Sequence, residues 1–535
     1  MLLSAYAPSS ESDGGVDVPE AKGNDTSGKE APQNSFQITP PAISLPKGGG
    51  AIRGMGEKFA ANPVTGTGSM SVPIATSPGR SGFGPQLSLS YGSGAGNGPF
   101  GFGWSLSLPS ITRKTDKGLP QYRDSEESDV YVLSGSEDLV PFLQPDGTRF
   151  KDDTTAPGYA IHRYRPRIEG LFARIERWTK VATGEIHWRS ISRDNVTTLY
   201  GKNNNSRIVD PADPSPANPT RVFSWFLCES YDDKGNAIVY EYKNEDSQRI
   251  FENQQGQLVA LVHELNRDDT TRSANRYLKR IKYGNRKPNR VATTWQATDP
   301  TQLPKNTWMF EVVFDYGEGH YAEEAPDAEG RIFARAQVNP PAISAWPVRQ
   351  DPFSTYRAGF EVRTYRLCHR VLMFHHFAGE PGVGIDCLVR STDFTYSHEQ
   401  DPADARNPVY TFLLSVTQSG YKRNNSGYDK RSLPSVQYEY TQPIVQDAVH
   451  DVDSASLVEP AHRRGRRRLP MDRSARRGHP RHPYRTGGCL VLQAQSQSYR
   501  QATGRIRATG TRCNQAQPRP GRWRAIHGFG RRRPA

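Results

Sequence analysis

An all-β protein made of irregular, multi-stranded antiparallel sheets is what this sequence predicts, and three observations carry the prediction. Apolar residues alternate with polar ones at period two in many short segments, the spacing that puts them on one face of a strand. Aromatic and β-branched residues dominate those segments. Between them lie turn residues, supplied by 48 Gly and 41 Pro among 535 residues, a usage that suits turn-rich β structure.

The organisation follows in chain order. Residues 1–40 are polar and rich in Gly, Ser and Asp. They hold too few bulky apolar groups to repay ordering, so this segment is expected to be disordered. Residues 41–445 form the β-rich region. Gln86-Leu87-Ser88-Leu89-Ser90-Tyr91 and Trp104-Ser105-Leu106-Ser107-Leu108 both alternate, and the Gly-rich stretch between them predicts a hairpin with a long loop. Further strands are predicted at 129–135, 222–231, 237–243, 277–284, 308–317, 360–377, 391–397 and 435–441. The segment 171–178 alternates as readily as it would form a helical turn. In YDDKGNAIVYEYK, Gly235-Asn236 marks a turn ahead of the alternating Tyr240 and Tyr242, and the pattern resembles Rhs-type repeats. No strict short period runs through the chain, which argues against a regular solenoid.

The formal charge of +13 is misleading. Residues 461–535 carry 20 Arg, no Lys and a single acid, Asp472, which leaves residues 1–460 with 49 basic against 55 acidic side chains. The body is mildly acidic, and nucleic acid is not an expected partner. The region 446–535 is read as a low-complexity, disordered basic tail. Arg without Lys, beside Gly, Pro and His, is the text a GC-rich gene gives when translated out of frame. With compatible synonymous codons, Leu469 to Gln495 re-reads as YQWTDLHGEGIPGILTEQAGAWFYKR, and Arg522 to Arg533 as DGGAQFMDLAGDG. Both resemble β-propeller blades with acidic, calcium-type loops. A reading-frame slip near Ser456–Glu459 and a shortened product are therefore expected. The competing reading is an Arg-rich nucleic-acid tail, but only Tyr484, Tyr499, Trp523 and Phe529 are there to stack on bases.

No catalytic residue, cofactor site or metal site is predicted. Gly54-Met55-Gly56 lacks the third glycine of a dinucleotide loop, since Phe59 stands there, and no Walker sequence follows. Cys368, His369, His375 and His376 are close in sequence, but adjacent histidines on a strand face opposite sides and no second ligand pair is spaced for zinc. Gly92-Ser93-Gly94 and Gly135-Ser136 are not nucleophile elbows. Glu126-Glu127, Glu137-Asp138 and Glu323-Glu324 are expected to be solvated turn acids. Five scattered cysteines, Cys228, Cys368, Cys387, Cys489 and Cys513, make no disulfide framework. Pro99-Phe100-Gly101-Phe102-Gly103-Trp104 is read as a corner where glycines admit close aromatic packing. No apolar run spans a membrane, and the first residues lack the basic and apolar regions of a standard secretory signal.

Residues 43–141, with 276–286 and 351–377, closely resemble the N-terminal domain family of the Salmonella virulence plasmid B protein (SpvB), shared with the TcaC- and TcdB-type B components of insecticidal Tc toxin complexes. The resemblance covers about residues 40–445. It implies a non-catalytic part of a secreted toxin's β shell, which encloses a toxic enzyme together with an Rhs-repeat C component. A propeller that follows would dock on the pore-forming A component. It implies protein partners, no direct membrane insertion, export without a standard signal and a bacterial cytoplasmic stage before it. The alternative it offers is the carrier region of an SpvB-like ADP-ribosyltransferase, whose strand Arg, STS-like segment and ExE turn are not found as an ordered set in this chain. The gene tests the tail directly: codons across Leu469–Trp523 should be shift-compatible with propeller text, and codons that cannot be re-read that way would refute the slip.

Overall fold

A computed structural model of the chain describes residues 57–440 except 63–66, 135–137, 253–263, 341–345, 401–409 and 425–426, with four short strands beyond residue 450. The expected disorder of 1–40, and of the tail outside those strands, lies outside the described residues. Strands dominate the described residues, and the helices Asp269–Arg272 and Ser397–Gln400 are single turns. None is long and apolar enough to cross a membrane.

Eight strands close on themselves as an antiparallel barrel. Around the ring they run Ser110–Arg113, Tyr131–Leu133, Asp138–Pro141, Tyr159–Pro166, Arg174–Lys180, Ile186–Ile191, Thr197–Tyr200 and Val222–Tyr231, and the last pairs back with the first. Closure leaves the ring without an unpaired edge. Alternation aims Ile111, Arg113, Tyr131, Leu133, Trp188 and Trp225 at buried positions. The Tyr131 ring lies 4.9 Å from Trp188 and 5.8 Å from Trp225 between centroids, and Tyr164 lies 5.1 Å from Trp188. Edge-to-face rings of this size fill an eight-stranded lumen.

Charge fills the rest. The Arg113 side chain is fully buried and donates to Asp124 at 2.8 Å, to Asp129 at 2.7 Å and through Nε to the Val222 carbonyl at 2.7 Å. Its guanidinium also lies over the Tyr122 and Tyr131 rings at 4.8 and 5.4 Å. Arg177 donates to Glu127 at 2.7 Å. These carboxylates sit on the connection between the first two barrel strands. The turn Glu126-Glu127, expected to be solvated, is therefore split: Glu126 pairs with exposed Arg123, while Glu127 is shared by Arg149 and Arg177. Burial lifts the Glu127 carboxyl's pKa, but the bonds to these arginines and to the Tyr164 hydroxyl outweigh it and hold the pKa below the ordinary glutamate value.

From Val222–Tyr231 the sheet continues outside the barrel as an antiparallel meander. Ala237–Asn244, Arg276–Asn285, Trp308–Asp315, Arg370–Phe377, Gly384–Tyr396, Leu413–Arg423 and Tyr428–Ser432 pair in that order. The hairpin of Tyr321–Glu323 and Ile332–Ala336 pairs onto Tyr428–Ser432 and folds over one face, where Ala334 and Val338 pack with Val313, Leu372 and Phe374. A four-stranded sheet of Lys58–Asn62, Thr67–Ile74, Leu87–Gly92 and Trp104–Leu106 buries Val72, Ile74, Leu87 and Leu89 in the same core as Met373, Phe394 and Val416.

Most expected strands appear where alternation placed them. Residues 222–231 match without shift, and Arg174–Lys180 resolves the ambiguous segment as strand. Leu87–Gly92 and Trp104–Leu106 pair as the expected hairpin, with the small ladder Asn97–Gly98 with Gly101–Phe102 inside its loop. The single run expected at 360–377 is two strands, Val362–Thr364 and Arg370–Phe377. Between them Arg366 turns inward to Glu245 and to the Trp346 carbonyl at 2.6 Å. Of 435–441 only Val436–Gln437 is strand. Turn Asp232–Asn236 closes through the Asp232 carboxylate, which accepts from the Lys234 and Asn236 amides, and Gly235 takes a φ of 82° there.

Contacts divide the chain into residues 1–438 and 439–535. Within the second unit, Asp451–Val452 pairs in parallel with Arg507–Ala508, and Tyr484–Thr486 antiparallel with Cys489–Val491. Removing the central buried cation tests the barrel: Arg113→Ala should cost about 3–5 kcal/mol in urea unfolding, because Asp124 and Asp129 are left buried and uncompensated. A loss under about 1 kcal/mol would show that the lumen tolerates bare carboxylates.

Candidate functional site

Of the residues considered from the sequence, Gly54-Met55-Gly56, Gly135-Ser136, Glu137 and Cys513 are among those that lie outside the described residues. His375 and His376 do face opposite ways on Arg370–Phe377. His375 Nε2 lies 2.7 Å from the Ser77 hydroxyl, while His376 lies 2.9 Å from Asp386 and 3.3 Å from Glu311. His369 lies 3.4 Å from Glu399. Cys368 is fully buried and its thiol donates to the Arg370 carbonyl. No three His, Cys, Asp or Glu side chains among the described residues are placed to hold a metal ion.

Ser77 and His375 are a pair the sequence did not show, because 298 residues separate them. Burial pulls the His375 imidazole's pKa below its usual value. Among the described residues no carboxylate hydrogen-bonds its other ring nitrogen, and the Ser77 carbonyl is used by the Tyr283 hydroxyl at 2.6 Å. The pair fastens the loop after Thr67–Ile74 to the meander. Ser93 accepts from the Gly68 amide at 3.1 Å, a turn contact.

The aromatic-glycine corner is a packing device. Gly101 and Gly103 have φ of 94° and 82°, and a Cβ on Gly103 would come within 2.4 Å of the Tyr91 ring. Trp104, 2% exposed, lies 5.2 Å from Tyr91 and 5.0 Å from Tyr438. Next to this corner Arg349 donates to Asp351 at 2.7 Å, to the Gly98 carbonyl at 2.8 Å and to Asn97 Oδ1 at 2.9 Å. Asp351 in turn accepts from Asn97 Nδ2 at 2.8 Å and from the Thr411 amide at 2.7 Å.

An open cleft of about 970 Å³ crosses the meander. Its floor is a cross-strand charge ladder: Glu241 with Lys282 at 2.7 Å, then Glu311 with Arg280 at 2.5 Å and His376, and His376 with Asp386. Glu311 is almost fully buried. Burial lifts its carboxyl's pKa, but bonds to His376 and Arg280 outweigh that and hold the pKa down. The floor thus sets three carboxylates beside two cations and the His376 ring. Sequence reasoning missed this ladder, since its members come from five separate strands and each alone reads as a solvated position.

Comparison with known proteins comes to the same region of the chain. The family model "SpvB: Salmonella virulence plasmid 65kDa B protein" matches residues 62–377. The mono(ADP-ribosyl)transferase SpvB of Salmonella choleraesuis is 35% identical over 406 residues, covering 75% of this chain and 59% of that protein. The chain thus spans less than two thirds of that relative. Among solved structures, TcdB2-TccC3 superposes with a TM-score of 0.57 at 30% identity, over 76% of this chain and 18% of that one. A Photorhabdus luminescens Tc holotoxin pore gives a TM-score of 0.57 at 30% identity, over 76% and 17%.

Burial controls the thiols. It pushes the Cys228 pKa up to about 12, the Cys368 pKa well above the ordinary thiol range and the Cys387 pKa upward. A thiol reagent at about pH 8, with labelled sites mapped by mass spectrometry, should leave Cys228, Cys368 and Cys387 unmodified until denaturant is added. Rapid native labelling of Cys368 would instead mark it as an accessible, reactive group.

Proposed function

Because the chain belongs to the SpvB family, the family of the Salmonella virulence plasmid 65kDa B protein, we propose that it is a non-catalytic structural component of a toxin complex. In this reading residues 41–445 form part of a shell around a toxic enzyme and connect it to a translocation pore. Residues 446–535 are an out-of-frame remnant of the propeller region. The partners are an Rhs-repeat C component and a pore-forming A component, and the protein is secreted. The observation that carries the reading is the superposition on TcdB2-TccC3 over 76% of this chain. Its physical support is a closed, aromatic-filled barrel joined to a wide meander, an architecture that supplies wall and contact area.

A second reading rests on the relatives' own name, mono(ADP-ribosyl)transferase: the chain would be the carrier region of such an enzyme.

Co-expression with an Rhs-repeat C component distinguishes the two. The shell reading expects a stable co-eluting complex by size-exclusion and light scattering, and aggregation of the chain alone, because uncovered sheet edges and apolar faces seek partners. A soluble monomer that ignores the C component would overturn it. In the gene, propeller and Rhs repeats encoded downstream would support the shell reading, and a Pro-rich linker followed by an ExE-type enzyme would establish the carrier reading instead.

A further inference from the structure

A second, smaller cleft of about 410 Å³ lies where the barrel, the meander and the hairpin of Phe353–Thr355 with Val362–Thr364 meet. Its walls are apolar. Leu106, Leu108, Phe223, Phe226 and Phe353 line it, all half-buried, and Phe226 stacks on Tyr242 with ring centroids 5.3 Å apart. This size and lining suit a small-molecule site. Polar residues of the wall are matched within the protein: the Ser224 hydroxyl lies 2.8 Å from that of Thr112, and Asn275 Nδ2 donates to the Thr364 hydroxyl at 2.9 Å.

Arg276 is the only charged side chain on this lining. Its Nη1 donates to the Ser273, Ala274 and Asn275 carbonyls at 2.7, 3.0 and 2.9 Å, and its Nε to the Asn204 carbonyl at 3.3 Å. Among the described residues Nη2 has no hydrogen-bond partner, and no carboxylate pairs with the guanidinium. The acids on adjoining segments are already held: Glu245 by Arg366, Asp351 by Arg349 and Glu361 by Arg267. Burial, with no acid to oppose it, pulls the Arg276 pKa down to about 10. A half-buried charge left unmatched carries a desolvation penalty, which an anion from outside would offset.

We propose that this cleft binds an amphipathic monocarboxylate, a small molecule with an apolar chain of the fatty-acid type. The carboxylate pairs with Arg276, whose Nη2 donates to it in a charge-assisted hydrogen bond. The chain lies along the wall of Leu106, Leu108 and Phe226. Charge selects a monoanion: a single guanidinium lines the cleft, and the three carbonyl oxygens on its Nη1 would repel the second charge of a phosphate. The site is independent of the shell role, because it needs only the folded chain.

Titration calorimetry reads the site on the full chain, or on its complex with a C component if that is the soluble form. The probes are octanoate, octan-1-ol and octyl phosphate, alike in chain length, at about pH 8, where the carboxylate is ionised. Octanoate should bind roughly tenfold or more tightly than octan-1-ol, the advantage of a hydrogen bond to a charged group. Arg276→Gln should erase that advantage and leave octan-1-ol binding unchanged. Leu108→Glu sets a like charge on the wall and should weaken octanoate by roughly tenfold, and this variant carries the test if Arg276→Gln does not fold. Equal binding of octanoate and octan-1-ol overturns the proposal, as does tighter binding of octyl phosphate or no detectable binding of octanoate. It is equally overturned if a folded variant binds octanoate at wild-type strength.

Discussion

One buried ion pair fastens the four-stranded sheet to the meander. Arg349 and Asp351 saturate each other and then reach Asn97 and Gly98, more than 250 residues away, and Thr411, 60 residues away. The Phe102 amide adds a bond to the Thr411 carbonyl at 2.7 Å, and the Cys368 amide one to the Pro99 carbonyl at 2.9 Å. Together these pin the aromatic-glycine corner, and with it the four-stranded sheet, onto the end of the meander. Such a pair is a weak source of net stability but a strong source of specificity, since either partner left alone is an uncompensated buried charge.

The same logic recurs through the molecule. Arg366 with Glu245 and Arg363 with Glu264 join distant segments at almost fully buried positions, and Arg113 with Asp124 ties the barrel to its own connection. Arg113 lies over the Tyr122 and Tyr131 rings and Arg363 over Tyr365, rings that supply the area burial that ion pairs do not. A sheet of twenty strands has many near-equivalent registers, and a carboxylate that must meet one particular guanidinium removes most of them. Buried charge thus fixes the registers of the sheet, and the cleft's charge ladder differs in standing open to solvent.

How much of this was legible depended on range. Alternation placed Val222–Tyr231 and Ala237–Asn244 because a strand's faces are decided by neighbours two residues away. The opposite orientations of His375 and His376 followed from the same rule. Glu127 was misread as a solvated turn acid because its sequence neighbours are polar. Its real neighbours, Arg149 and Arg177, arrive through barrel closure. The break at Arg366 was invisible for a similar reason: an Arg on an alternating run looks solvent-facing until Glu245 is known to lie beneath it.

The sequence by itself determined the β class, many of the turn positions and, through the residues of 43–141, the family. These are properties of composition and of contacts within a hairpin. Only the tertiary structure decided that eight strands close into a ring, which acids are buried, and that Ser77 meets His375. Those outcomes depend on which strands become neighbours. Buried electrostatics is set by the distance between side chains from separate strands, a quantity that no local pattern encodes.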